Sequence, residues 1–164
     1  MNGMRSLNGA ANSQPQRSIK RSGSSILEID CWMSSEVRAI SPLVDRLMRL
    51  IEGSQCVPGE EFHIELALRE ALNNAVVHGN QEDLETTVHI RCRCQAGKEL
   101  SIVVTDQGKG FDFEKTGGDR LMPDPLSEHG RGIQLMKANM DIVHFERGGS
   151  EVHMRKRLRT MPRS

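Results

Sequence analysis

The sequence predicts an α+β fold, a single sheet with helices packed on one face. Two hairpins carry the first argument: period-two alternation runs through "TTVHIRCRCQAGKELSIVVTD" and again through "DIVHFERGGSEVHMRKRL", turning at Ala96-Gly97-Lys98 and at Gly148-Gly149. Segments of helical spacing lie between and before these hairpins, without the regular strand–helix alternation of a parallel α/β protein. A chain of 164 residues, 37% hydrophobic, is long enough for one domain with a substantial core. It contains no internal repeat.

Taken in order, residues 1–24 are rich in Asn, Gln, Ser and Gly, with too few large apolar side chains to offset ordering, and are expected to form a disordered arm. Order begins at "ILEIDC", a strand whose Leu27, Ile29 and Cys31 face the core. "SSEVRAISPLVDRLMRLIEG" has helical spacing and a Gly stop; Pro42 either kinks it or opens its main segment with Ser41 as cap. The clearest helix is "VPGEEFHIELALREALNNAVVHGN", with Pro58 near its start, acids in its first turn and Gly79 at its end. After the first hairpin, residues between Asp106 and Gly130 show little periodicity, and loops of that length are usually lids or binding loops. "RGIQLMKANM" is a further helix, leading into the second hairpin. Residues 159–164 are a flexible tail.

Lys+Arg 22 against Asp+Glu 22 leaves no net charge, so general attraction to nucleic acid or anionic lipid is not indicated. The basic run "RKRLR" with Arg163 is the one candidate nucleic-acid tail, and the neutral total argues against direct nucleic-acid binding. No apolar run reaches membrane-span length and no signal-peptide block opens the chain, which points to the cytoplasm and away from membranes. Cys31, Cys56, Cys92 and Cys94 lack the spacing of a zinc site. They are expected to be reduced and to act as small apolar residues, with Cys92 and Cys94 on the buried face of one strand.

Chemistry concentrates in three segments. "REALNNAVVHGN" sets Glu70, Asn74 and His78 four apart on the long helix, a stripe stepping roughly 40° per pair beside a core face of Ile64, Leu68, Ala71 and Ala75. Ala67 shares the side of the stripe and would leave space there. "VVTDQGKGFDF" ends an apolar strand on Asp106, followed by Gly108 and Gly110. "EHGRGIQLM" opens a helix with Gly130 and Gly132. Each glycine pair alone is weak: neither shows a Walker A ending or the context of a dinucleotide fingerprint. Their order and separations together are far more specific.

Together these segments resemble the N box and two glycine boxes of the histidine-kinase-like ATPase superfamily, over residues 26–158. Within it, "EALNNAVVHG", "DQGKGF" and "GRGIQLM" look most like the anti-sigma-factor serine kinases of bacterial partner-switching systems. The resemblance implies a two-layer α/β sandwich of the Bergerat type over residues 25–158, with a mixed sheet covered by helices on one face. It implies ATP and Mg²⁺ as cofactors. Asn74 matches the metal ligand, and a neutral amide oxygen suits Mg²⁺. Glu70 matches the general base towards an acceptor hydroxyl. Asp106 matches the adenine reader, accepting a hydrogen bond from the exocyclic amino group. Gly108 and Gly110 let backbone approach the base, while Gly130, Arg131 and Gly132 bring N–H groups and a helix N-terminus to the phosphates.

Several assignments stay open. His78 either supports the phosphate end or serves the helix terminus. Arg131 contacts phosphate or caps the lid, taken as residues 112–129. Ser150 falls where relatives often carry a Thr near the base. Arg38 lies near a partner-contacting Arg of the family, or is a solvated helix charge. The resemblance further implies a STAS-type antagonist as serine acceptor, a sigma factor as sequestered partner, and a homodimer. A nucleotide-dependent binding module without phosphotransfer is the competing reading.

Overall fold

A computed structural model describes residues 18–22, 26–110 and 128–159. Six strands form one sheet: β1 (Ser18–Ser22), β2 (Ile26–Ser34), β3 (Thr87–Gln95), β4 (Glu99–Thr105), β5 (Ile142–Glu146) and β6 (Glu151–Arg157). Three helices accompany them: α1 (Val37–Gly53), α2 (Glu61–Asn73) and α3 (Glu128–Asn139). Spatial order across the sheet is β1-β2-β3-β4-β6-β5.

The α+β class and the two-layer arrangement hold, but the sheet is not mixed: all five strand pairings are antiparallel. The reason lies in the crossover. From β4 the chain passes through α3 to β5, which runs in the same direction as β4. β6 then returns between the two, so no parallel neighbours arise.

Alternation decides which face is dry. Leu27, Ile29, Cys31 and Met33 of β2 are buried, as are Val88, Ile90, Cys92 and Cys94 of β3. Leu100, Ile102 and Val104 of β4 continue the same layer. Against it pack Val44, Leu47 and Ile51 of α1, Ile64, Leu68 and Leu72 of α2, and Met136 of α3. Each such buried side chain contributes about 1.5–3 kcal/mol relative to exposure. The opposite face stays polar and half-open, with Trp32 stacked on His89 at 4.2 Å and His89 Nε2 2.6 Å from Asp30.

Four local expectations need correction. Ser18–Ser22, placed in the disordered arm, pair with β2 from Ser18↔Asp30 to Ser22↔Ile26. Ile19 is its sole large apolar residue and stays 46% exposed, so this strand forms by satisfying the backbone edge of β2, which hydrophobicity does not report. Residues 1–17 and the tail beyond 159 lie outside the described residues. Helix α1 runs unbroken through Pro42, and Ser41 is interior; its hydroxyl accepts from Arg69 at 3.1 Å. Cys56 and Cys94 form a disulfide with Cα atoms 5.4 Å apart, while Cys31 and Cys92 are buried thiols outside it. Cys56 sits in the α1–α2 connection, which the Gly97 N–H to Gln55 carbonyl bond holds against the β3–β4 turn. Finally, Ala67 is fully buried and opens no space.

The basic run near the end is used inside the fold. Lys156 is 4% exposed, pairs with Glu60 at 2.9 Å and donates to the Asn139 carbonyl at the end of α3. Arg157 and Arg159 face Glu99 and Asp141. No helix among the described residues is long and apolar enough to cross a membrane.

Candidate active site

Helix α2 ends differently from an α-helical stripe. Asn74–Gly79 form a π-helical turn, closed by the Asn80 N–H to Ala75 carbonyl bond at 2.8 Å. Glu70 and Asn74 keep their α-helical relation. His78 lies in the widened turn, off the stripe that regular spacing projects, and is half-buried. Such insertions recur at functional sites because they re-aim a helix end. Nothing in the local residue preferences announces it.

The three segments meet around this helix end. A Cβ placed on Gly132 would come 2.9 Å from Glu70 Oε2 and 3.5 Å from both side-chain polar atoms of Asn74. Helix α3 therefore rests its second glycine against the acid and the amide. A Cβ on Gly79 would lie within 2.6 Å of all three carboxyl atoms of Asp106. On Gly108 it would strike the Gly79 carbonyl oxygen at 2.1 Å, and on Gly110 the Gly148 carbonyl oxygen at the same distance. These glycines let the segments pack backbone to backbone, and against the Asp106 carboxyl, where a Cβ would collide.

Helix α3 starts at Glu128, earlier than the glycine pair suggests, so Gly130 falls in its first turn and Arg131 and Gly132 follow inside the helix. The positive end of the helix dipole thus lies at Glu128–Gly130. Arg131 is exposed. Residues 112–127 of the expected lid lie outside the described residues, and 128–129 belong to α3.

Asp106 is held from several sides. Its N–H donates to the Ser150 carbonyl at 2.9 Å, and its Oδ1 accepts from the Gly108 N–H at 2.8 Å. Burial raises its pKa from 3.8 to about 6, with the Gly108 N–H opposing. Ser150 is 8% exposed, and its hydroxyl donates to the Arg147 carbonyl at 3.0 Å. The structure places Ser150 beneath Asp106 with that hydroxyl engaged. Arg38 lies apart, exposed on the first turn of α1 beside Glu36.

Sequence reasoning missed Asn80. Its carboxamide is buried and donates to Ser35 Oγ at 2.7 Å and to the Thr87 carbonyl at 3.0 Å, while its Oδ1 accepts from the Gln107 N–H at 2.7 Å. Gln107 Oε1 in turn accepts from the Thr87 N–H at 2.6 Å. Asn80 thereby locks the loop after Asp106 onto β2 and β3. Its one available signal was a polar residue just past Gly79, the commonest of loop compositions.

The Bacillus subtilis serine-protein kinase RsbW is 37% identical over 103 residues, covering 58% of this chain and 63% of that protein. The anti-sigma F factor of Clostridium novyi is 29% identical over 104 residues, covering 60% and 71%. A Staphylococcus epidermidis serine-protein kinase RsbW is 30% identical over 101 residues, covering 57% and 64%. The chain thus spans somewhat under two thirds of the length of the RsbW proteins among these relatives. Residues 33–156 match the histidine kinase-like ATPase domain, a span that contains helix α2, both glycine pairs, strands β3 to β5 and all but the last residue of β6. With most of its length accounted for in this way, the chain belongs to the histidine kinase-like ATPase domain family.

Proposed function

We propose that this protein is an ATP-dependent serine kinase and anti-sigma factor of a partner-switching system. The reading has it phosphorylate a STAS-type antagonist and sequester a sigma factor. Family membership supports ATP as the nucleotide, and relatives named serine-protein kinase and anti-sigma F factor support the two activities. The observation that carries the reading is the approach of Gly132 to Glu70 and Asn74, which sets a second-box glycine against a potential base and a potential metal ligand.

Asp106 accepts from the adenine exocyclic amino group, where guanine would present an oxygen and be repelled. Gly108 and Gly110 keep the wall beside the base free of side chains. The Asn74 amide, with phosphate oxygens, would hold Mg²⁺, and the bound ion supplies charge neutralisation for phosphoryl transfer. Gly130, Arg131 and Gly132 stand at the helix end suited to anionic phosphates. In this reading His78, half-buried in the π turn, supports the phosphate end. The Glu70 carboxylate takes the proton of the acceptor serine as its Oγ bonds to the γ-phosphorus and the bond to the departing ADP oxygen breaks. Such a base contributes about 10²–10⁴ in rate. The products are ADP and phosphoserine.

The test uses labelled ATP with the antagonist. Glu70→Gln is expected to abolish label transfer, a loss on the order of 10²-fold or more, while calorimetry still detects ATP binding. Wild-type protein that binds ATP and sigma factor yet never labels the antagonist leaves a nucleotide-dependent binding module in place of the kinase. A homodimer belongs to the same reading and is checked by light scattering, as is residence in the cytoplasm by fractionation.

A further inference from the structure

On the open face of the sheet, far strands β5 and β6 carry a group that the nucleotide chemistry does not use. His144 and His153 are cross-strand partners, and so are Glu146 and Glu151. The two imidazoles stack with centroids 4.6 Å apart and planes 13° from parallel. His144 Nε2 stands 3.2 Å from Glu146 Oε1, and His153 Nε2 stands 3.4 Å from Glu146 Oε2. One ligand atom from each of His144, Glu146 and His153 lies within 4.8 Å of the others.

We propose that His144, Glu146 and His153 form a binding site for a divalent transition metal, with Zn²⁺ as the best fit. Zinc binds imidazole nitrogen and carboxylate oxygen at about 2.0–2.2 Å, so the edge between two ligands of a tetrahedral site is about 3.3–3.5 Å. The 3.2 and 3.4 Å separations, one to each oxygen of Glu146, are close to that edge, and the stacked imidazoles need only turn for both nitrogens to aim at one ion. Two nitrogens and one oxygen also favour zinc over magnesium, which prefers an all-oxygen octahedron.

Electrostatics supplies an independent argument. Like charges directly opposite across two strands are destabilising, and Glu146 faces Glu151. The Glu151 carboxylate is served by Thr105 at 2.7 Å, by His153 at 2.8 Å, and by Arg91 and Arg147 at 3.7 and 3.6 Å. Among the described residues, the ion-pair contacts of Glu146 are with the two imidazoles. A cation held here would neutralise Glu146, and at His153 Nε2 it would take the place of the 2.8 Å contact that this nitrogen makes with Glu151. His144 and Glu146 are each 52% exposed at the side chain, so the ion can enter from solvent.

The experiment titrates the purified full-length protein with ZnCl₂ alone, by calorimetry, and follows Co²⁺ as a spectroscopic substitute. One metal per chain is expected, with the visible absorption of a tetrahedral cobalt site. His144→Ala and His153→Ala should each weaken binding at least about tenfold, since even loss of an outer-sphere partner typically costs that much. Should either variant misfold by circular dichroism, Glu146→Gln, near-isosteric and half-exposed, carries the same expectation. Zinc that does not bind the wild type, or that binds all three variants as tightly, overturns the site.

Discussion

Burial keeps the Asp106 carboxyl protonated up to about pH 6, and the Gly108 N–H offsets this only in part. Between 3.8 and about 6 the folded chain holds a proton that the unfolded chain has lost. Stability therefore falls as pH rises through that window, and the full cost is present above it. Asp106→Asn is expected to raise the melting temperature of the empty protein at pH 7, a gain that disappears by about pH 4. The same change should weaken ATP binding. In the wild type, ATP affinity should fall below about pH 6, because a protonated carboxyl loses much of its strength as an acceptor. Parallel calorimetric titrations of both proteins from acid to neutral pH check this, since ionisation of the nucleotide itself cancels in their ratio. Asp106 was legible in the sequence because an acid ending an apolar strand before two glycines is a local pattern. Asn80 was not, because its role consists of contacts to Ser35, Thr87 and Gln107, which only folding brings together.

At the scale of the element, the loop from Asp106 to Gly110 is fitted to two others by backbone. Gly110 has φ of +72°, a region costly to any residue with a Cβ, and Gly148 follows opposite with its carbonyl. Gly108 meets the carbonyl of Gly79. In both places the obstacle to a side chain is backbone, which cannot swing aside. Gly110→Ala should cost about 1–2 kcal/mol from its backbone angle alone, with the collision adding to that. Gly108→Ala carries the collision without the angle. Both are expected to lower the melting temperature and ATP affinity together, whereas Gly53→Ala, with nothing within 4 Å, should leave ATP affinity unchanged. Thermal melts and nucleotide titrations of the three variants decide it. The glycine pairs could be read from the chain, yet their partners could not. Spacing placed Glu70, Asn74 and His78 on one stripe by assuming an α-helix to Gly79, and the π turn breaks that assumption at its last member.

Across the whole molecule, short-range alternation made the core strands legible, while pairing order depended on contacts distant in sequence. Insertion of β6 between β4 and β5 is such a case, and the pairing of Cys56 with Cys94 is another. Cys94 was correctly expected on the buried face, but the α1–α2 connection that brings Cys56 beneath it has no periodic signal. The bond spans 38 residues and fastens the helical layer to the sheet. Closing a loop of that size removes unfolded-chain entropy equivalent to about 4 kcal/mol. For a domain of this size that corresponds to a rise on the order of 10 °C in melting temperature. The oxidised protein should therefore lose roughly that much on reduction, and Cys56→Ser should melt with the reduced form and not respond to reductant. Burial pushes the Cys92 thiol far above its ordinary pKa, so it stays protonated and does not compete in thiol exchange. Thiol counting after denaturation without reductant should find two reactive thiols, those of Cys31 and Cys92. Four reactive thiols in protein purified from an oxidising buffer would mean that the two layers are joined by packing alone.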